Sequence, residues 1–346
     1  MSYAPKTNLP ENEKGTVLLT TLLIMTVMAA ITLALMEDIQ LAVKRTINVQ
    51  AYSQADWQAD GAEDFVVAYL KNDFAALPPE AKAALLQSRT PLVLPTPDGA
   101  ITLTLKDASQ CFNLNALVGE QDALNGSAGL EFGQLGELLG LAPNQATALS
   151  SALIDWQDAD QQQTPGGAED GTYLRKNPPY RTADTSMRSP EEFRAIHGMD
   201  EDLWELFRPF VCTGGPGELP QINVNSITQE RIIILAAALS GQVSGTEAVP
   251  AAEALLRDRP LTGYSSEEQV IQTLNASGVS DLTQGRVGLN VNSVFVEVVT
   301  EVGPAERVRT YRYDGVDTDT PRLTYRGWGR ETFRPEIETQ TEPGSE

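Results

Sequence analysis

The chain has 346 residues, 47 acidic and 25 basic, for a formal charge of −22. Its length can bury a substantial core in two lobes, while so negative a surface repels nucleic acid and anionic lipid and suits a soluble domain able to bind cations. One histidine and two cysteines exclude an HExxH pair and a disulfide scaffold, and no phosphate-binding loop or GxGxxG fingerprint occurs.

A short polar leader, residues 1–15, ends in Lys14-Gly15 and runs directly into the uncharged segment Thr16–Met36. At about 1.5 Å per helical residue that segment spans roughly 31 Å, enough to cross the hydrocarbon core of a bilayer. A secretory signal has a shorter apolar region followed by a small-x-small cleavage site, and no Ala-x-Ala triplet lies between Ala29 and Met36. A plain uncleaved anchor is the alternative. Lys6 and Lys14 precede the span while Lys44 and Arg45 follow it, so charge bias leaves the orientation open.

No proline occurs between Pro10 and Pro78, and no glycine between Gly15 and Gly61. Ile47, Ala51, Ala55, Ala62, Val66 and Tyr69 continue a helical rhythm beyond the span. One helix over about 16–73 is predicted, half in lipid (16–36) and half packed on a globular domain. Pro78, Pro79, Pro91, Pro95 and Pro97 break up the next stretch. Ile101, Leu103 and Leu105 then alternate with polar residues as a half-buried strand, and three further strands are predicted at 289–300, 308–313 and 323–328. An α+β domain built from 37–113 and 289–330 therefore carries a mainly helical insertion, 114–288. The acidic tail 331–346 is expected to be disordered.

Within the insertion, Phe112-Asn113-Leu114-Asn115-Ala116-Leu117 is echoed by Ile222-Asn223-Val224-Asn225-Ser226-Ile227, and more weakly by Asn290-Val291-Asn292. Asparagines there can satisfy backbone groups at a helix entrance. Asp158, Asp160, Glu169 and Asp170 flank a loop containing Gly166 and Gly167. Brought together they repel one another unless a hard cation lies between them, and calcium suits such a cage because it takes roughly six to eight flexible oxygen ligands. A solvated acidic loop is the other reading. Asp314, Asp317 and Asp319 form a second acidic turn, expected to face solvent. Ser189-Pro190-Glu191-Glu192 opens a helix that His197-Gly198-Met199 breaks, like a helix-hairpin-helix. Asp200, Glu201 and Asp202 follow where phosphates would approach, so DNA binding is not expected. His197 lies beside no nucleophile motif. Cys111 and Cys212 are expected to pair in an oxidising compartment, two separately buried thiols being the alternative.

The Lys14-Gly15/Thr16 junction and its span resemble the class III signal of type IV pilins and pseudopilins. With Cys111–Leu117, Leu153–Asp160, Gly167-Ala168-Glu169-Asp170, Pro179-Tyr180-Arg181-Thr182 and Ile222–Asn225, the chain resembles the general secretion pathway protein K family over nearly its whole length. Members of that family are the large minor pseudopilins of type II secretion. The resemblance implies a pilin-like fold, a long N-terminal helix on an antiparallel sheet, interrupted by a large α-helical domain that binds calcium structurally. It implies cleavage by the prepilin peptidase between Gly15 and Thr16. A single inner-membrane pass would leave the N-terminus cytoplasmic and the globular domain periplasmic. It further implies assembly with other minor pseudopilins and the major pseudopilin at the tip of the filament that drives export of folded exoproteins, and no enzymatic role. Thr16 departs from the usual first mature residue, Phe or Met. Thr20 stands where most pilins carry a Glu that neutralises a neighbour's N-terminal ammonium, a departure that fits the tip position. The alternatives are a minor pilin of a type IV pilus or competence system, and a membrane-anchored periplasmic receptor or enzyme.

Overall fold

The computed structural model describes residues 14–240, 245–277, 286–318 and 320–329. The leader before Lys14, the tail 331–346 and Asp319 lie outside them. A single helix, α1 (Lys14–Tyr69), passes through Gly15 and Thr16 unbroken and continues as a π-helical turn over Leu70–Phe74. Residues 15–50 are exposed on every side. Ala51, Ala55, Ala59, Ala62, Val66 and Leu70 then form a buried stripe, the pattern of a helix lying on a sheet. Ile47, expected in that stripe, is exposed, because contact with the sheet begins one turn later. Alanines let the backbones approach closely, and the Thr300 hydroxyl donates to the Ala55 carbonyl at 3.0 Å.

The proline-rich stretch is more ordered than the sequence predicts. It forms α2 (Pro79–Ser88) and β1 (Leu92–Thr96), which pairs with β2 (Gly99–Asp107). Pro79 occupies the first helical turn, where a missing N–H costs nothing. Pro95 lies on the edge strand of the sheet, the position where a strand tolerates proline.

The insertion follows in chain order as β3 (Phe112–Asn113), α3 (Gly126–Leu138), α4 (Pro143–Gln157), α5 (Asp170–Tyr173), α6 (Glu201–Phe207), β4 (Val211–Cys212), β5 (Ile222–Asn223), α7 (Ile232–Ser240), α8 (Gly245–Arg257), α9 (Glu267–Ala276) and β6 (Val287–Gly288). Parallel pairing of β3 with β4 closes one lobe, and parallel pairing of β5 with β6 closes a second. One apolar core runs through both lobes, with the Phe132 ring in contact with those of Phe112, Phe193 and Phe207.

The weak sequence repeat marks these two lobes. Asn113 and Asn223 each accept the N–H two residues on, at 3.0 and 2.8 Å, as a helix-entrance residue does. The second asparagine of each pair reaches much further. Asn115 accepts the Met187 N–H at 2.8 Å and donates to its carbonyl at 2.9 Å. Asn225 does the same to Tyr264, at 2.7 and 2.9 Å. Two residues beyond each clamped amide stands a capping serine, Ser189 or Ser266. Glu192 and Gln269, at matching positions, accept the N–H of the residue before that serine, Arg188 and Ser265.

The lobes are also joined by a buried ion pair, in which Arg286 donates to Glu131 at 2.5 and 2.8 Å with Glu131 almost fully enclosed. Arg286→Met would leave that carboxylate buried without its cation. The expected loss is about 3–5 kcal/mol of stability, measurable by denaturant unfolding.

The chain then completes the sheet with β7 (Ser293–Val302), β8 (Ala305–Asp314) and β9 (Arg322–Trp328), giving the antiparallel order β1-β2-β7-β8-β9. The insertion therefore leaves from Asp107 and returns at Ser293, slightly outside the expected 114–288, because Cys111–Asn113 belongs to its first lobe. A separate core lies between sheet and helix, formed by Val66, Leu70, Phe74, Leu103, Val296, Tyr311 and their neighbours. Along one flank of α1 an acidic row meets an arginine row on the sheet. Arg307 binds Asp56 at 2.9 Å, Arg309 binds Asp60, and Arg326 binds Glu63 at 2.6 Å. Asp314, expected to face solvent, is partly buried and pairs with Arg312 at 2.9 Å.

Candidate metal centre

Asp158 is the C-cap of α4, its N–H bonded to the Ile154 carbonyl at 3.0 Å. The loop that follows is shaped around Asp155, which is fully buried and accepts the Thr164 N–H with both carboxylate oxygens at 3.0 and 3.2 Å. At Gly167 a Cβ would stand 2.1 Å from Asp155 Oδ2, so only glycine lets the chain pass. Gly166 at φ +86° supplies the left-handed turn before it. The loop thus returns to Glu169, the N-cap residue of α5.

This geometry brings Asp158, Asp160 and Glu169 together, with one carboxylate oxygen from each within 4.8 Å of the others. Asp158 and Glu169 are only 7% exposed, whereas Asp160 is exposed. Asp158 Oδ1 and both Glu169 oxygens are buried with no hydrogen-bond partner. Buried polar groups in native structures are normally satisfied. Burial first, and then the charges of Asp160 and Asp155, push the Asp158 carboxyl up to about 6. Burial, with Asp155 and Asp158, pushes Glu169 up to about 7. An all-oxygen donor set, two of its carboxylates unsatisfied and destabilised as anions, fits a hard cation such as calcium.

Asp170 does not join the cluster. Its Oδ1 accepts the Thr182 N–H and hydroxyl at 3.1 and 3.0 Å, and its Oδ2 accepts from Arg181 at 2.7 Å. These hydrogen bonds and the Arg181 charge hold its carboxyl below the usual range against the opposing effect of desolvation. The expected four-carboxylate set is therefore three, and Asp170 instead anchors the return of the chain at Arg181-Thr182. Sequence reasoning also missed Asp122 and Asp184, whose charges reach Asp158. Asp184 lies close to the loop, its N–H on the Trp156 carbonyl at 3.1 Å and its backbone at φ +50°. Only its nearness to the Pro179–Thr182 motif could have signalled it.

Cys111 and Cys212 form the expected disulfide, with Cα atoms 5.8 Å apart. It ties the chain entering β3 to the end of β4 and so closes the first lobe.

An apolar helix lying on an antiparallel sheet, with a two-lobed helical insertion between sheet strands, defines a membrane-anchored, pilin-like subunit. Residues 110–214 match the family model for protein K of the type II secretion system (T2SS), very nearly the lobe that the disulfide encloses. Type II secretion system protein K of Pectobacterium carotovorum subsp. carotovorum is 32% identical over 303 residues, covering 85% of this chain and 90% of that one. The Klebsiella pneumoniae protein of the same name is 33% identical over 257 residues, 73% and 77% of the two chains. The crystal structure of the GspK-GspI-GspJ complex from the enterotoxigenic Escherichia coli Type 2 Secretion System contains a chain 25% identical to this one. That match has a TM-score of 0.66 and covers 82% of this chain and 99% of that chain. The chain belongs to the type II secretion system protein K family.

Proposed function

We propose that the protein is the minor pseudopilin at the tip of the type II secretion pseudopilus, where it helps to initiate and cap the filament. Thr20 carries this reading. Its hydroxyl donates to the Val17 carbonyl of its own helix at 3.0 Å, so this position offers no carboxylate to the N-terminal ammonium of a subunit above. An unpaired charge in the apolar core of a filament is costly, whereas the subunit's own ammonium can still meet a Glu on a subunit below. GspI and GspJ accompany the related chain in its crystal structure, which supports other minor pseudopilins as partners here. The major pseudopilin and exported exoproteins follow from the tip position. The globular domain lies in the periplasm with the N-terminus in the cytoplasm, and the role is structural rather than catalytic. Calcium at Asp158, Asp160 and Glu169 holds the first lobe. Cross-linking through a photoreactive residue at position 20 tests the assignment. Adducts to filament subunits on one side only are expected, and adducts on both sides would overturn it.

The prepilin peptidase cuts between Gly15 and Thr16, at the start of the apolar segment. Intact-mass measurement of protein recovered from secreting cells should find Thr16 at the N-terminus. Gly15→Leu should leave the leader attached, since a bulky side chain does not fit a site built for glycine. Recovery of unprocessed Met1 from functional cells would refute cleavage.

A further inference from the structure

Two tyrosines on the segment leaving the metal loop hold the backbone on both sides of Ile196. The His197 N–H donates to the Tyr173 hydroxyl at 3.0 Å, and the Tyr180 hydroxyl donates to the Ala195 carbonyl at 2.7 Å. Tyr173 is fully buried, its ring edge-on to Trp156 at 5.2 Å and tilted against Tyr180 at 5.4 Å. Lys176 Nζ stands 5.2 Å from both tyrosine rings and donates to the Tyr180 hydroxyl at 2.7 Å. Trp156 is two residues ahead of Asp158, and Tyr173 is one helical turn beyond Glu169. The Tyr173 N–H bonds back to the Glu169 carbonyl at 3.4 Å.

We propose that Tyr173 is a positioning residue that makes the Ala195–Met199 hairpin depend on the cation. Gly198 turns at φ +89° and His197 is exposed. The hairpin is pinned in the core by the buried Ile196 side chain, while its backbone is held to the rest of the lobe at Ala195 and His197 by Lys176 and the two tyrosine hydroxyls. Without a cation, the buried carboxylates of Asp158 and Glu169 repel beside the start of α5, which Asp170 ties to Thr182 and Arg181 on its other side. The tyrosine hydroxyls then lose their register on the hairpin. The face formed by the half-buried Glu191 and the exposed Arg194, Asp200 and Glu201 flanks this hairpin and so shifts with the loading of the loop. This inference rests on the calcium reading above.

Hydrogen exchange on the full-length protein in detergent, with calcium or with chelator, tests it. Chelation should speed exchange at 195–199 by roughly three- to tenfold, the factor that corresponds to losing one ordinary intramolecular hydrogen bond, while α3 and α7 stay protected. Tyr173→Phe in calcium should show the same fast hairpin while 158–169 remains protected. A hairpin indifferent to calcium while 158–169 responds would overturn the relay, as would a uniform loss of protection over the whole lobe. A Tyr173→Phe hairpin as protected as wild type would also overturn it. If 158–169 itself ignores calcium, the metal reading fails instead.

Discussion

Calcium should raise the melting temperature of the folded protein by roughly 5–10 °C at a hundredfold excess over its dissociation constant. That excess contributes about 2.7 kcal/mol when the unfolded chain does not bind, and each kcal/mol moves the midpoint of a domain this size by about 2–4 °C. Glu169→Ala and Asp158→Ala should abolish the rise, whereas exposed Asp160→Ala should only reduce it. Magnesium should substitute poorly, because it demands a tighter octahedron and sheds water reluctantly. A second arm separates a metal site from an acidic loop by a change of sign. With chelator present, Glu169→Gln should be more stable than wild type, since it removes a buried anion that nothing satisfies. The folded Glu169 carboxyl is raised from 4.5 to about 7, so the wild type loses stability relative to this variant as pH climbs through that window. With calcium present the order should invert. Melting curves that ignore calcium, chelator and both substitutions would return the loop to solvated surface.

Replacing both Cys111 and Cys212 by serine should cost up to about 4–5 kcal/mol, the chain-entropy limit for a loop of roughly one hundred residues. The bridge spans a sequence separation of 101, and nearly the whole first lobe lies inside it. The cysteines stand against Ala108 and Phe295 at the junction with the sheet, so serine would also place buried hydroxyls in an apolar contact. Calorimetry should find the midpoint lowered by roughly 10 °C. The acidic loop and the bridge lie in the same lobe, so the calcium-dependent rise and the loss of the bridge should couple rather than add. A double-serine variant melting with the wild type would show that the bridge constrains nothing.

What was legible in the chain was whatever had a local period. The long helix, the alternation of Ile101, Leu103 and Leu105, and the Val- and Tyr-rich C-terminal strands all declared themselves, and the insertion followed from their order. Pro95 misled because proline is excluded from a strand only where its missing N–H would face a partner. Which edge β1 occupies is a property of the assembled sheet. Asp170 misled similarly. Its position beside Glu169 could not reveal that Thr182 and Arg181 would take both of its oxygens. The clamps of Asn115 on Met187 and of Asn225 on Tyr264 were hidden for the same reason, since each joins backbone far apart in sequence. Their local traces were the Asn-x-Asn repeat and the pair of serine caps, neither of which names the distant backbone that is clamped.

The pairing of β2 with β7 also carries a kinetic consequence. Asp107 sits opposite Val294, so the central ladder of the sheet joins strands roughly 190 residues apart in the chain. Closing so long a floppy loop costs entropy before any strand contact repays it, and such non-local pairing slows folding. Once the two lobes have condensed, however, their ends emerge side by side, and the same closure becomes almost local. The insertion thus acts on its host as an internal folding template, presenting β7 to β2 in register. Lesions inside the lobes should therefore appear in refolding experiments as late formation of a sheet they never touch.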